Sequence, residues 1–80
     1  MIYTDGRRIC AGSHEELMLF ARDMGMSQGW YIEKETHGYF EIFGNMRKKI
    51  LRLGDRITYI ARAEFVIKAK QMYDAKNNRP

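Results

Sequence analysis

The sequence predicts a small α/β domain, a mixed sheet of about four to five strands with three helices. Three observations carry that expectation. Strand-like and helix-like hydrophobic periods alternate along the chain. Turn and cap signals fall at the changeovers: Asp5-Gly6, Gly12-Ser13, Gly25, Gly44-Asn45 and Gly54. Eighty residues without an internal repeat or linker leave room for one thin core, burying roughly 60–65% of the unfolded surface. The domain is expected over residues 1–76, with 77–80 as a frayed tail.

The first five residues contain the strand formers Ile2, Tyr3 and Thr4 and end on the Asp5-Gly6 turn signal, and Arg7–Ala11 is read as the returning strand. Ser13 is placed to cap a helix, with Glu16 three residues on to reach back to it. Leu17, Phe20, Ala21 and Met24 lie along one face of that helix, and Glu15 and Glu16 suit its positive end. Trp30-Tyr31-Ile32 is expected as an aromatic strand after the loop Ser27-Gln28-Gly29. In Tyr39–Phe43 the period of two sends Phe40 and Ile42 to the core and Tyr39 and Glu41 to the other side.

Asn45 is expected to cap a second helix, whose apolar stripe Met46, Ile50 and Leu53 lies opposite Lys48 and Arg52, with Gly54 beyond its end. Arg56–Ile60 reads as a short strand, and the fold class depends on it. Without that strand the last two helices form a hairpin and the class becomes α+β. The stretch 61–76 is helical by pattern, with Phe65, Val66, Ala69, Met72 and Tyr73 on one face and no internal Gly or Pro.

Net charge is +4 and unevenly spread. From residue 45 onward ten bases face three acids, leaving +7; residues 1–44 hold four bases and seven acids, leaving −3. A basic later half attracts phosphate-bearing partners or an acidic protein surface. Its plain alternative is that two helices have Lys-rich solvent faces. One cysteine, Cys10, makes no internal disulfide and sits in an apolar run as a buried thiol. With no run of about 18 apolar residues, a cytoplasmic protein that does not enter the membrane is expected.

His37, Tyr39 and Glu41 stand at i, i+2 and i+4, so one strand face can carry all three, with Asp5 contributed by a neighbouring strand. This is a candidate acidic site. It lacks any zinc spacing, and neither a metal nor a cofactor is expected. His14, in the first turn of its helix, is expected to be exposed. The glycines are too dispersed for a phosphate loop. Arg47 and Lys48, in the first turn of the second helix, oppose its dipole, a cost that a bound anion relieves. The six Met and many aromatics exceed what a thin core needs, so a protein partner or a homodimer is a further expectation.

Ser13-His14-Glu15-Glu16-Leu17, Phe20-Ala21, Gly25, Trp30-Tyr31, Tyr39-Phe40-Glu41, Arg47 and Leu53-Gly54, with Tyr3-Thr4-Asp5 at the start, together resemble a family of small bacterial and phage proteins known as domain of unknown function 4031. The resemblance spans roughly two thirds of the chain, and its last helix matches only loosely. Where the family pattern has His-Tyr-Asp this chain has Tyr39-Phe40-Glu41, with the nearby imidazole displaced to His37. A second family His falls at Arg8. The resemblance implies no activity, and the host cytoplasm as location if the chain is phage-encoded.

The leading expectation is a non-enzymatic module that binds a phosphate-bearing ligand, either a nucleotide-like small molecule or a nucleic-acid backbone. Arg47, Lys48 and Arg52 would hold it with help from Arg8, and Tyr39 or Trp30 would stack a base. One alternative is a bacterial or phage accessory protein docking on a protein partner. A second is a small phosphoester or glycosidic hydrolase using Asp5, His37 and Glu41. The ligand and hydrolase readings share one structural requirement: Asp5, Arg8, Tyr39, Glu41 and Arg47 must meet at one concavity.

Overall fold

The computed structural model describes residues 1–77. Strands β1 (Ile2–Thr4) and β2 (Arg8–Ala11) form a hairpin, followed by helix α1 (His14–Asp23). Strands β3 (Tyr31–Glu33) and β4 (Gly38–Glu41) form a second hairpin, then come helix α2 (Gly44–Leu51), strand β5 (Ile57–Tyr59) and helix α3 (Arg62–Asn77). The expected class is therefore present: a five-stranded sheet in the order β3-β4-β2-β1-β5, with three helices. It is mixed because β5 runs parallel to β1 while every other pair is antiparallel. The segment Arg56–Ile60, on which the class depended, supplies that parallel strand. The expected tail at 78–80 lies outside the described residues, and α3 continues through Asn77.

Strand register sorts the side chains onto two faces. Tyr3, Arg8, Cys10, Ile32, Tyr39 and Glu41 share one, and Ile2, Ile9, Ala11, Tyr31 and Phe40 share the other. Helix α3 lies over the first face. The Phe65 ring meets Tyr39 edge-on at 6.5 Å between centroids, and Lys68 Nζ stands 5.2 Å over the Tyr3 ring. Helix α1 serves the second face, where His14 meets the edge of Tyr31 and Tyr31 tilts against Phe40. Ile9, Leu17, Phe40, Ile50 and Phe65 are wholly enclosed.

Covering both faces explains why Tyr39 is buried along with Phe40 and Ile42, although alternation alone placed it outside the core. Cys10 is buried as expected, and the loss of water around it pushes the thiol up to about 12. The methionines are mostly core as well: Met24, Met26 and Met72 are buried and Met18 and Met46 half-buried. The methionines expected to serve an interface are therefore largely used inside the molecule, while Trp30, Phe43 and Tyr59 stay exposed.

Several local expectations are corrected. Trp30 is not in a strand; it closes a short 3-10 turn, Gln28–Trp30, and is exposed. Ser13 does cap α1, its Oγ accepting from the Glu16 N–H at 3.1 Å, but the Glu16 carboxylate pairs with the Met1 ammonium instead of reaching back. Helix α2 starts two residues earlier than expected, with Phe43 at the cap position and no side-chain cap, so Asn45 is already inside the first turn. Val66 faces solvent because the buried line of α3 runs through Phe65, Ala69 and Met72. His14 is half-buried against Tyr31.

Phe40 sits at the centre of this packing, on β4 between β2 and β3, with its ring tilted against Tyr31. Phe40→Ala is expected to lower the unfolding free energy by about 3–5 kcal/mol, against a total of about 4–12 kcal/mol for a domain of this length. Urea unfolding followed by circular dichroism checks this, with a drop below about 2 kcal/mol indicating a much looser core.

Candidate anion-binding concavity

The β1–β2 turn builds the floor of the site. Asp5 Oδ1 accepts from the backbone N–H groups of Arg7 and Arg8, each at 2.9 Å, while Asp5 Oδ2 accepts from Arg8 Nε at 3.1 Å and Nη2 at 2.9 Å. Thr4, fully buried, donates its hydroxyl to the Arg8 carbonyl at 2.7 Å and accepts from the Gly6 N–H at 2.9 Å. Gly6 has φ +99°, and the Tyr59 hydroxyl occupies the space where a Cβ would go, so the turn admits glycine alone without rearrangement.

Arg8 is committed to this turn. Its side chain is 17% exposed and that of Asp5 7%. The guanidinium lies 4.5 Å from the Phe65 ring centroid and 5.2 Å from that of Tyr39. Burial alone would raise the Asp5 pKa, but the N–H donors of Arg7 and Arg8 and the Arg8 charge outweigh it and hold the carboxyl below the ordinary aspartate value. Asp5 and Arg8 thus form a neutral, rigid pair beneath the site.

Two further contacts fold the other side of the site onto this floor. The Ile42 N–H donates to the Arg7 carbonyl at 2.9 Å, drawing the end of β4 to the turn. Arg47 Nε, reaching over from α2, donates to the Gly6 carbonyl at 2.6 Å and leaves both of its Nη groups uncommitted among the described residues. The result is a concavity of about 750 Å³. The turn contributes Asp5, Arg7 and Arg8 to its lining, and the end of β4 contributes Tyr39 and Glu41. Ile42 and Phe43 form an apolar wall, and Arg47 and Arg62 enter from α2 and the start of α3.

The five residues required to meet therefore do so, in one place. Lys48 and Arg52 do not; Lys48 is exposed on α2 and Arg52 at its C-cap, and neither lines any part of the concavity. Among the described bases of the later half, only Arg47 and Arg62 reach it. Others are used locally: Lys49 donates to the Met24 carbonyl, Lys70 pairs with Asp74, and Lys76 with Glu33. Positive charge at the site comes from both halves of the chain, with Arg7 and Arg62 standing where Lys48 and Arg52 were expected beside Arg47.

Stacking is also reassigned. Tyr39 is 6% exposed, with Arg8 over its ring, His37 stacked on it at 5.5 Å and Phe65 at its edge, so no base has access to it. Trp30 is exposed but lines no part of the concavity. His37 lies in the β3–β4 connection beside Thr36 and is likewise not on the lining. Its burial, then the charges of Arg8 and Lys34, lower its pKa and favour the neutral ring. Asp5, His37 and Glu41 are thus not assembled as an acid–base set, and among the described residues no three His, Cys, Asp or Glu groups are placed to hold a metal ion.

Arg7, Phe43 and Arg62 were not singled out from the sequence. Arg7 adjoins Arg8 in the turn, a visible signal, whereas Arg62 comes to the site only through the β1–β5 pairing.

Because the Asp5 pKa is depressed in the folded state, the unfolded chain takes up its proton first as pH falls. Its stabilising contribution is complete above the unfolded value of about 4 and is lost as pH falls through the lower folded value. Asp5→Ala is expected to cost about 3 kcal/mol at pH 7 by leaving Arg8 buried and unpaired, and to flatten the acid limb of stability against pH in urea titrations between pH 2 and 7. An unchanged acid limb would show that another group controls it. No protein-family model, curated protein or solved structure matches this chain.

Proposed function

We propose that the protein is a binding module that takes a phosphate-bearing ligand into this concavity. The observation supporting the reading is that three arginines, Arg7, Arg47 and Arg62, line one concavity together with the neutral Asp5–Arg8 pair. Arg7 and Arg62 make no side-chain hydrogen bond or ion pair among the described residues. Three like charges facing a single carboxylate, that of Glu41, leave a net repulsion, and a phosphate relieves it with several charge-assisted hydrogen bonds. Arg8 acts in this reading as a support for the floor and does not clamp the ligand. The chain's kinship with domain of unknown function 4031 is part of the same proposal, since Asp5, Tyr39, Glu41 and Arg47 from the quoted motifs line the site, together with Arg8 where the family pattern has a His.

Thermal unfolding in low salt with pyrophosphate, nucleotides and short oligonucleotides tests the reading. At ten times Kd a site-specific ligand should raise Tm by roughly 5–10 °C. Arg7→Ala combined with Arg62→Ala should remove the shift and leave the ligand-free Tm nearly unchanged, because neither guanidinium holds the fold together. Lys48→Ala with Arg52→Ala should leave the shift intact. A shift that survives loss of Arg7 and Arg62, or no shift with any phosphate compound, overturns the assignment. A stoichiometric protein partner recovered from a nuclease-treated bacterial lysate would then favour docking on a protein.

A further inference from the structure

We propose that the ligand is a nucleotide with a terminal phosphate monoester, its phosphate held by Arg7, Arg47 and Arg62, its base lying on Phe43 and its hydroxyl or amino donors reaching Glu41. This rests on the anion-binding reading and goes further by naming the parts of the ligand that are not phosphate. Phe43 is 70% exposed although it forms part of the wall of the concavity, and its ring meets no other aromatic ring among the described residues. A large apolar ring left in water beside a cluster of arginines is an unfilled stacking surface. Its place at the cap of α2, directly after Ile42 is pinned to the turn, fixes its backbone.

Glu41 supplies the second observation. It stands opposite Arg8 across the β2–β4 ladder, yet the Arg8 guanidinium turns to Asp5, and Glu41 is left with no side-chain hydrogen bond or ion pair among the described residues. A carboxylate in a phosphate site opposes a bare anion. It favours a ligand that brings N–H or O–H donors as well as phosphate, as a ribose or a base edge does.

Charge and extent agree with one nucleotide and not with a strand. Three guanidiniums without an ion-pair partner among the described residues and one carboxylate leave the site two positive charges, matching a phosphate monoester of about −1.5 to −2. A volume of about 750 Å³ lies within the range of small-molecule sites. Lys48 and Arg52 do not extend it into a basic track of the kind that follows a polynucleotide backbone.

Isothermal titration in low salt separates this proposal from the reading beneath it. The probes are inorganic phosphate, pyrophosphate, the four ribonucleoside 5′-monophosphates, their nucleosides, and oligonucleotides of two lengths with a 5′-phosphate or a 5′-hydroxyl. At least one monophosphate is expected to bind tenfold or more tightly than inorganic phosphate, pyrophosphate or its own nucleoside. Phe43→Ala should erase most of that advantage while leaving inorganic phosphate binding and the ligand-free Tm unchanged. Glu41→Gln should narrow it from the other side by strengthening inorganic phosphate. A 5′-phosphorylated strand binding as tightly as the free nucleotide, with no gain from length, also supports the proposal and identifies a strand end as the source.

Inorganic phosphate and pyrophosphate binding as tightly as every monophosphate, in a manner abolished by loss of Arg7 and Arg62, overturns the proposal and leaves anion binding standing. Affinity that rises with strand length and ignores the 5′-phosphate also overturns it. Absence of binding by every probe overturns both.

Discussion

The carboxylate of Asp5 is the constraint on which the site depends. One oxygen gathers two backbone N–H groups and the other holds the Arg8 guanidinium, so a single side chain shapes the turn and neutralises the charge buried beneath it. The carbonyls that the turn presents then organise what surrounds it. Gly6 accepts from Arg47 and Arg7 accepts from Ile42, bringing α2 and the end of β4 to the same place. Without the turn there is no common origin for these elements.

A division of labour among the arginines follows. Arg8 is desolvated, paired and sandwiched between Phe65 and Tyr39, where salt has little access. Arg7 and Arg62 project their charge toward solvent, and Arg47 is half committed through Nε. The same residue type therefore serves as a packing element in one position and as an uncompensated charge in another, and only the surroundings separate the two roles.

Most of the fold was legible in the sequence because its signals are local. Asp5-Gly6 marked the first turn, Ser13 the first cap, and the alternation around Phe40 an inner strand. Tyr39 was misplaced because alternation assumes one open face, whereas α3 closes the second face through Phe65. Asp5, Arg8, Tyr39, Glu41 and Arg47 were legible as a set of polar residues near turns and strand ends. Lys48 and Arg52 were not distinguishable from Arg47, since adjacent basic residues on a helix differ only in the direction they point, and that direction is set by what the helix packs on. Arg62 and Phe43 carried no local signal, because their position depends on pairing between distant segments.

That dependence has a consequence for how the protein is made. Ile2 lies beside Ile57, 55 positions later in the chain, and the helix that brings Arg62 begins only after this last strand. The two hairpins and α1 can form early during synthesis, while the parallel edge must wait for a long loop to close, the slow kind of contact in small mixed folds. A partly translated chain thus exposes the sheet face that α3 later covers and lacks one wall of its cavity. The concavity is whole only once α3 has docked, so any ligand that used it would reward completed folding and offer nothing to shorter nascent fragments.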